Sequence, residues 1–195
     1  MEQNELINPL LCIEEYKSLR QQIDSQSKLM IQVFTFSIIS SSALLGYFFN
    51  LFNNTGLSIL TLQLLFGPSL ILVPCAYLIK DMRDEIYRWG TYLYVYFEDG
   101  SSSHYESALS LMRERYGSSE SFNPIFLTFW SFTFICIFLY IILSNQQHVL
   151  KVWQALPWLS IVWLLHRAHY QFNKIPDVKR QFYIDAWKSI KFSID

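Results

Sequence analysis

The sequence has little charge and few of the residues that build compact chemical sites. Only 16% of its 195 residues are charged, whereas soluble domains carry about 25%. The three cysteines, Cys12, Cys75 and Cys136, form no Cys-x-x-Cys pair, so neither a disulfide framework nor a structural zinc site is indicated. A net charge of −1 gives no sign of direct nucleic-acid binding, and we predict none.

Four long stretches of the sequence are apolar and contain almost no charged residues. A helix needs roughly 20 apolar residues to cross the hydrocarbon of a bilayer. Three of the stretches reach this length, whereas the fourth is short and contains Lys151 and Pro157. We therefore predict an all-α fold, a single membrane domain built as a four-span transmembrane helix bundle. The alternative is three spans with a re-entrant hairpin. The predicted spans cover about residues 29–52, 57–79, 125–144 and 149–165.

The basic residues are distributed unevenly between the ends of these spans. Of the 15 lysines and arginines, all but Lys151 lie in the N-terminal tail, the segment between the second and third spans, or the segment from Arg167 onward. Loops rich in lysine and arginine stay in the cytoplasm. We predict that residues 1–28, 80–124 and 168–195 form a cytoplasmic part, and that both termini face the cytoplasm.

An apolar stripe continues past Lys28 and Lys80, the two lysines at the predicted membrane boundary. Its residues recur at intervals of three and four, which is the spacing of a coiled-coil seam. We predict that the first two spans extend into the cytoplasm as an antiparallel helical hairpin; the alternative is two unrelated surface helices. The seam residues are Tyr16, Leu19, Ile23, Met82, Ile86, Trp89 and Leu93.

Equal depth below the two lysines gives a register for this hairpin. It pairs Leu19 with Trp89 and Cys12 with Tyr96. In the same register Glu15 falls outside the seam, and we interpret it as part of a solvated surface.

Two further helices are predicted in the cytoplasmic part. Residues 103–106 have the form of a capping box, which predicts a short helix up to Gly117. After Pro176, a basic amphipathic helix carries Tyr183 and Trp187 beside its apolar stripe. This last helix either lies on an anionic leaflet or packs on the hairpin.

Small residues and prolines provide the candidate sites within the spans. The serines and glycine of the first span favour close helix contact or, alternatively, line a pore. The glycine and prolines of the second span indicate a static bend or a gating hinge. The candidate contact or pore face is Ser37, Ser41, Ser42 and Gly46, and the candidate hinge is Gly67, Pro68 and Pro74.

The sequence contains few residues that could act in ion transport, metal binding or catalysis. The span interiors hold no aspartate, glutamate or arginine, and ion-coupled transporters usually need such groups. His166 and His169 stand three residues apart, with no carboxylate or thiolate beside them to complete a metal site. We predict a protein that is not an enzyme and has no cofactor, metal or catalytic residues.

The segment Glu15-Tyr16-x-x-Leu19-Arg20-x-x-Ile23, followed by a span and by LILVPCAYLIKDMRDEIYRWGTYL, carries a resemblance. Over about residues 14–97 the chain resembles a family of small prokaryotic multi-span proteins of unknown activity. In size and layout it is also similar to membrane accessory proteins of CRISPR and other anti-phage defence systems. That second resemblance implies assembly in the inner membrane and its permeabilisation or depolarisation.

Two functions are consistent with these features. In the first, the chain is a homo-oligomeric, pore-forming or membrane-perturbing effector of a prokaryotic defence system. In the second, it is a membrane anchor or adaptor that recruits a cytosolic protein partner without forming a pore. Both require the lipid bilayer as a partner.

Overall fold

A computed structural model describes residues 9–98, 124–146, 156–174 and 180–194. In these ranges the chain is helical and contains no strand, which confirms the all-α fold class. Three helical segments are long and apolar enough to cross a membrane: Ile13–Thr55, Ile59–Phe97 and Pro124–Asn145. Helices of this kind are typical of a membrane protein.

Six α-helices and one π-helical turn make up the described chain. The predicted capping box and short helix between residues 103 and 117 lie outside the described residues, as do the first residues of the predicted fourth span. In chain order the elements are α1 (Pro9–Thr55), α2 (Ile59–Gln63), α3 (Phe66–Leu93), the π-helical turn (Tyr94–Glu98), α4 (Pro124–Gln146), α5 (Leu156–Lys174) and α6 (Arg180–Ile194).

Helix α1 begins and ends at residues suited to those positions. Pro9 opens the helix, where its missing N–H would have no partner in any case. Gly56 follows the last helical residue with a φ of 72° and donates its N–H to the carbonyl of Phe52. Only glycine adopts this left-handed conformation without steric cost. Ser58 then caps α2 by accepting a hydrogen bond from the N–H of Thr61.

The second predicted span is not one continuous helix. Leu64 and Leu65 separate α2 from α3, and the N–H of Gly67 bonds to the carbonyl of Leu64. Gly67 and Pro68 therefore lie in the first turn of α3, where a proline costs no helical hydrogen bond. These two residues lie at a break between two helices, and their role as a hinge stays a prediction. Pro74 does lie inside α3.

The described helices belong to two compact units, which we treat separately. The charged unit comprises Met1–Leu29, Met82–Ser118 and Lys174–Asp195, and the span unit comprises Met30–Asp81 and Ser119–Asn173. The chain passes from one unit to the other within two residues of Lys28 and of Lys80. The division therefore follows the change in charge along the sequence.

The span unit has an apolar core rich in aromatic rings. Phe66 of α3 stacks on Trp158 of α5 with ring centroids 4.4 Å apart, and both rings contact Tyr140 of α4. Phe126 of α4 contacts Phe172 of α5 in a second group. Aromatic pairs of this kind contribute about 0.5–1.5 kcal/mol beyond the area they bury, and here they join three helices.

The outer surface of the span unit is also apolar. Phe36 is 63% exposed, Leu60 is 74% exposed and Phe138 is 65% exposed. Soluble monomers rarely expose apolar patches of such extent. Lipid tails are as apolar as these side chains, so a bilayer removes the cost of exposing them.

The charged unit is held together by aromatic and polar contacts between distant parts of the sequence. Its described parts are the N-terminal turns of α1, the C-terminal turns of α3, the π-helical turn and α6. Leu93 and Val95 are fully buried, and the π-helical turn contacts α6. Three segments separated by at least 50 residues in the sequence thus pack into one unit.

Candidate functional site

The charged unit contains a cavity of about 350 Å³, which we call the aromatic cavity. Helices α1, α3 and α6 each contribute to its wall. Its wall is mostly apolar and aromatic, with one acidic and one basic residue among the residues that line it. The lining residues are Glu15, Leu19, Arg88, Trp89, Tyr92 and Trp187.

Helical spacing brings these residues to the cavity. Glu15 and Leu19 are four residues apart on α1, and Trp89 and Tyr92 are three apart on α3. Residues at these spacings lie side by side on one helix face. The cavity wall on α1 and α3 is therefore set by the same periodicity that defines the predicted seam.

Tyr92 is the central residue of the cavity wall. Its hydroxyl donates a hydrogen bond of 2.7 Å to Oε1 of Glu15. Its ring meets Trp187 edge to face, with centroids 5.0 Å apart and planes at 77°. The same ring also stacks on Tyr96 at 4.5 Å. These contacts fix the carboxylate of Glu15 and the two ring planes relative to one another.

Helix α6 is attached by a second polar contact. The hydroxyl of Tyr183 donates a hydrogen bond of 3.1 Å to Oδ1 of Asp84. Burial raises the pKa of the Tyr183 phenol above its usual value, the carboxylate of Asp84 raises it further, and the guanidinium of Arg88 opposes the shift. The protonated phenol that donates to Asp84 is thereby favoured.

One polar atom near the cavity lacks a partner. The indole Nε1 of Trp187 is shielded from solvent and has no hydrogen-bond partner within the part of the chain that the structure describes. A buried N–H without an acceptor costs about 1–3 kcal/mol. Because solvent does not reach this atom, the unused donor lies behind the cavity wall and not on its surface.

The π-helical turn ends the predicted seam. A π-helical turn holds more residues than an α-helical one. Here the ring that contacts Tyr16 of α1 belongs to Phe97, with centroids 5.7 Å apart, and Tyr96 contacts Trp187 of α6. The register pairs Tyr96 with Cys12, whose side chain lies outside the described part of the chain, so that pairing stays a prediction.

The remaining seam residues lie in or near the charged unit's interior. Leu93 is fully buried and the other six are half-buried. Leu19 and Trp89, which the register pairs, line the same cavity. The half-buried seam residues are Tyr16, Leu19, Ile23, Met82, Ile86 and Trp89.

The four residues of the predicted small-residue face are not in one environment. Ser37 and Ser41 are fully buried, and Ser42 and Gly46 are exposed. Ser37 donates to the carbonyl of Phe34, and Ser41 donates to that of Pro68 at 3.3 Å. The two inner hydroxyls are thus used within the chain, and the two outer residues form a separate small surface.

Gly67 has a packing role. A Cβ atom added to it would lie 3.1 Å from Cδ1 of Leu44 in α1. Together with the bond from Ser41 to Pro68, this marks a close approach of α1 and α3. The small residues of the two helices meet here, as small residues do between membrane helices.

The two histidines of α5 have separate neighbours. His169 stacks on Phe126 with centroids 5.0 Å apart and lies 3.0 Å from the amide nitrogen of Asn173. His166 stacks on Tyr170. Within the described ranges, no three His, Cys, Asp or Glu side chains are grouped as metal ligands.

Four of the six cavity residues were not predicted as parts of a site. Glu15 was assigned to a solvated surface, where the structure does expose it, and Arg88, Tyr92 and Trp187 received no role in binding. Tyr92 was detectable, because it follows Trp89 by three residues and so shares its face. Trp187 was not, because nothing in the sequence of α6 specifies which helix it meets.

The fold and the cavity define a class: an all-helical protein with three helices of membrane-spanning length and a separate polar unit that contains a cavity. No protein-family model, curated protein or solved structure matches the chain.

Proposed function

We propose that this protein is a multi-span anchor of a prokaryotic inner membrane, and that its charged unit recruits a cytosolic protein. The observation that supports this most directly is the contrast between the surfaces of the two units. Large apolar side chains are exposed throughout the span unit, but in the described part of the charged unit they are limited to Ile13, Leu29 and Phe182. One surface suits lipid and the other suits water.

In this proposal the chain crosses the membrane four times. Helix α5 supplies the fourth span, with Trp158 and Leu165 buried and Leu159 and Trp163 exposed, which is the pattern of the other spans. An even number of crossings keeps the basic N- and C-terminal segments on the cytoplasmic side, as the distribution of lysine and arginine requires.

The proposed cytoplasmic hairpin is supported by contacts inside the charged unit. Glu15 is bonded to Tyr92, and the ring of Tyr16 meets that of Phe97. Connections between spans need no such contacts, since short loops suffice for antiparallel neighbours. A packed unit of three segments is therefore better explained as a surface for binding.

An anchor agrees with the described geometry better than a pore. A serine-lined pore needs accessible hydroxyls on one face of the first span. Ser37 and Ser41 are instead fully buried and donate to backbone carbonyls of the same chain. In one copy of the chain, neither hydroxyl lies on a surface that ions or water reach.

A homo-oligomeric, membrane-perturbing effector is the second candidate. The exposure of Ser42 and Gly46 favours it, because nothing lies within 4 Å of a Cβ built on Gly46. A second copy of α1 can approach closely at such a surface. This function agrees with the resemblance to accessory proteins of defence systems.

Photo-crosslinking from matched positions tests the anchor. Phe182 in the charged unit and Phe138 in the span unit are both 65% exposed, so a photoreactive phenylalanine fits either position. In cells, we expect the probe at 182 to capture a discrete cytosolic protein and the probe at 138 to capture lipid. Capture of lipid from both positions contradicts the proposal.

A leakage assay separates the two candidates. The purified chain is placed in vesicles loaded with a self-quenched dye. An anchor leaves the dye inside at every protein density, whereas a pore releases it with a steep dependence on density. Release that Gly46→Leu abolishes establishes the second candidate.

A further inference from the structure

We propose that the aromatic cavity binds a small zwitterion that carries a methylated ammonium group at one end and a phosphate or carboxylate at the other. Phospholipid headgroups and free solutes both offer this chemistry. This binding involves the charged unit alone and does not depend on whether that unit also recruits a protein.

The aromatic walls provide the site for the ammonium. Tyr92 and Trp187 stand nearly perpendicular, at 77°, and Trp89 lines the same cavity. A cation over such ring faces gains about 0.5–2 kcal/mol or more, depending on how far it is desolvated. An ammonium with free N–H groups needs several acceptors, but the lining offers a single carboxylate. A methylated ammonium needs none and fits the rings better.

Glu15 neutralises the cation. Its carboxylate is exposed, yet the hydroxyl of Tyr92 holds one oxygen at 2.7 Å. Charge and aromatic faces thus act on the same end of the ligand. The hydrogen bond fixes the carboxylate in advance, which reduces the entropy lost on binding.

Arg88 provides the donors for the anionic end. Its side chain lines the cavity, and a guanidinium presents a planar array of donors that matches phosphate and carboxylate. Glu15 and Arg88 therefore offer the two ends of the ligand partners of opposite charge.

Glu15 and Arg88 line one cavity but form no ion pair with each other among the contacts of the described residues. Opposite charges that remain apart in one small cavity are arranged for a ligand that bears both signs. A ligand of a single sign would leave one of them opposed to its own charge. Charge complementarity therefore selects the zwitterion.

The size of the cavity limits the ligand further. Its volume of about 350 Å³ is at the lower end of the range for ligand cavities, about 300–1,000 Å³. A headgroup or a small solute fits this space. A folded partner or a strand of nucleic acid does not.

Calorimetry on the purified full-length chain in a maltoside detergent tests the proposal. Phosphocholine, choline and inorganic phosphate are titrated separately. We expect phosphocholine to bind at least about tenfold more tightly than either half, because both ends contribute. No saturable binding of phosphocholine, or equal binding of phosphate alone, overturns the proposal.

Matched variants assign the two ends. Glu15→Gln should weaken choline and phosphocholine about tenfold, whereas Glu14→Gln, the same change one residue away on an exposed position, should weaken neither. Arg88→Gln should weaken phosphocholine about tenfold and leave choline unchanged. Lys17→Gln is its control. Equal effects of site and control variants contradict the assignment.

Two variants of Trp187 test the aromatic wall. Trp187→Leu removes the ring and keeps an apolar side chain, so it should weaken choline and phosphocholine alike, whereas Trp187→Phe should retain most of the affinity for both. Equal losses in the two variants contradict the role of the ring. Circular dichroism of each variant verifies its helical content.

Competition distinguishes the two sources of the ligand. Dihexanoyl-phosphatidylcholine, kept below its micelle concentration, carries the headgroup with short acyl chains. Displacement of phosphocholine at equal or lower concentration supports a lipid headgroup. Persistent phosphocholine binding without displacement supports a free solute. Partner capture from position 182 is measured separately, so failure of either proposal is recognisable on its own.

Discussion

The span unit and the charged unit use the same residue types in opposite ways. In the span unit, phenylalanines occupy both the interior and the surface, as the neighbours Phe48 and Phe49 do. In the charged unit, by contrast, half-buried tyrosines bond to carboxylates of distant segments, as Tyr92 does to Glu15 and Tyr183 does to Asp84. The difference shows that aromatic content alone does not identify a membrane segment. Carboxylate partners for the rings distinguish the charged unit.

The largest expected effect on stability comes from Phe48, the buried member of the adjacent pair Phe48 and Phe49. Phe48 is fully buried and Phe49 is 45% exposed. Phe48→Ala should destabilise the fold by about 2–4 kcal/mol, mainly through the cavity left behind, since lipid offsets part of the transfer term. Phe49→Ala should cost less than about 0.5 kcal/mol. Unfolding in mixed micelles, followed by circular dichroism, measures both.

Equal losses for Phe48→Ala and Phe49→Ala would show that the outer surface of the span unit faces protein rather than lipid. That result would favour an oligomer in which the ring of Phe49 is covered.

The next largest effect is expected from a comparison of two glycines. Gly67 faces another helix, whereas Gly46 lies on an open surface. Gly67→Leu forces a side chain against Leu44, 3.1 Å from the position of its Cβ, and should cost about 1–3 kcal/mol through overpacking. Gly46→Leu meets nothing within 4 Å and should leave stability unchanged. Thermal unfolding followed by size-exclusion chromatography compares them. A loss at Gly46 alone would locate the close helix contact between copies of the chain.

Alkaline pH should affect the charged unit through Tyr183. The pKa of its phenol is raised above the usual 10.0, so the stabilising bond to Asp84 is fully present below that value. It is lost as the pH rises through the raised pKa of the folded state. We expect wild type to lose about 2–4 °C in unfolding midpoint over this range relative to Tyr183→Phe. Parallel curves for the two proteins would exclude the contribution of this bond.

The smallest effect distinguishes two adjacent serines. Ser41→Ala removes a buried hydrogen bond to the carbonyl of Pro68, and such bonds contribute about 0.6 kcal/mol on average between membrane helices. Ser42→Ala removes an exposed hydroxyl and should not change stability. Chemical unfolding of both variants in the same detergent provides the comparison. A larger loss at Ser42 would indicate that another copy of the chain bonds to it.

Hydropathy and the spacing of apolar residues were sufficient to predict the long helices. An apolar run of the required length has few alternatives to a helix, because a lipid-facing backbone must satisfy its own hydrogen bonds. Pro9 and Gly56 are local signals for the two ends of α1, because the effect of each residue depends only on its own backbone conformation. The position of Lys28 and Lys80 near the division between units follows from the cost of burying charge.

No local sequence signal predicted the break between α2 and α3 at Leu64 and Leu65, and none predicted the π-helical turn. Leucine favours helices, and the break depends on how α2 and α3 pack, which sequence spacing does not contain. The aromatic cavity depends likewise on the meeting of α6 with α3 through Trp187 and Tyr92. Contacts between segments distant in the sequence are determined by tertiary packing, so a pattern within one segment does not reveal them.

The π-helical turn at Tyr94–Glu98 makes the end of α3 sensitive to the number of residues it holds. Such a turn arises when one residue is inserted into an α-helix. Deleting a single residue from this turn would restore regular winding and rotate everything after it by about 100° about the axis. Phe97 would then leave Tyr16, and Tyr96 would leave Trp187. The number of residues in this turn therefore determines the directions of two aromatic rings, and the deletion of a single codon would change both.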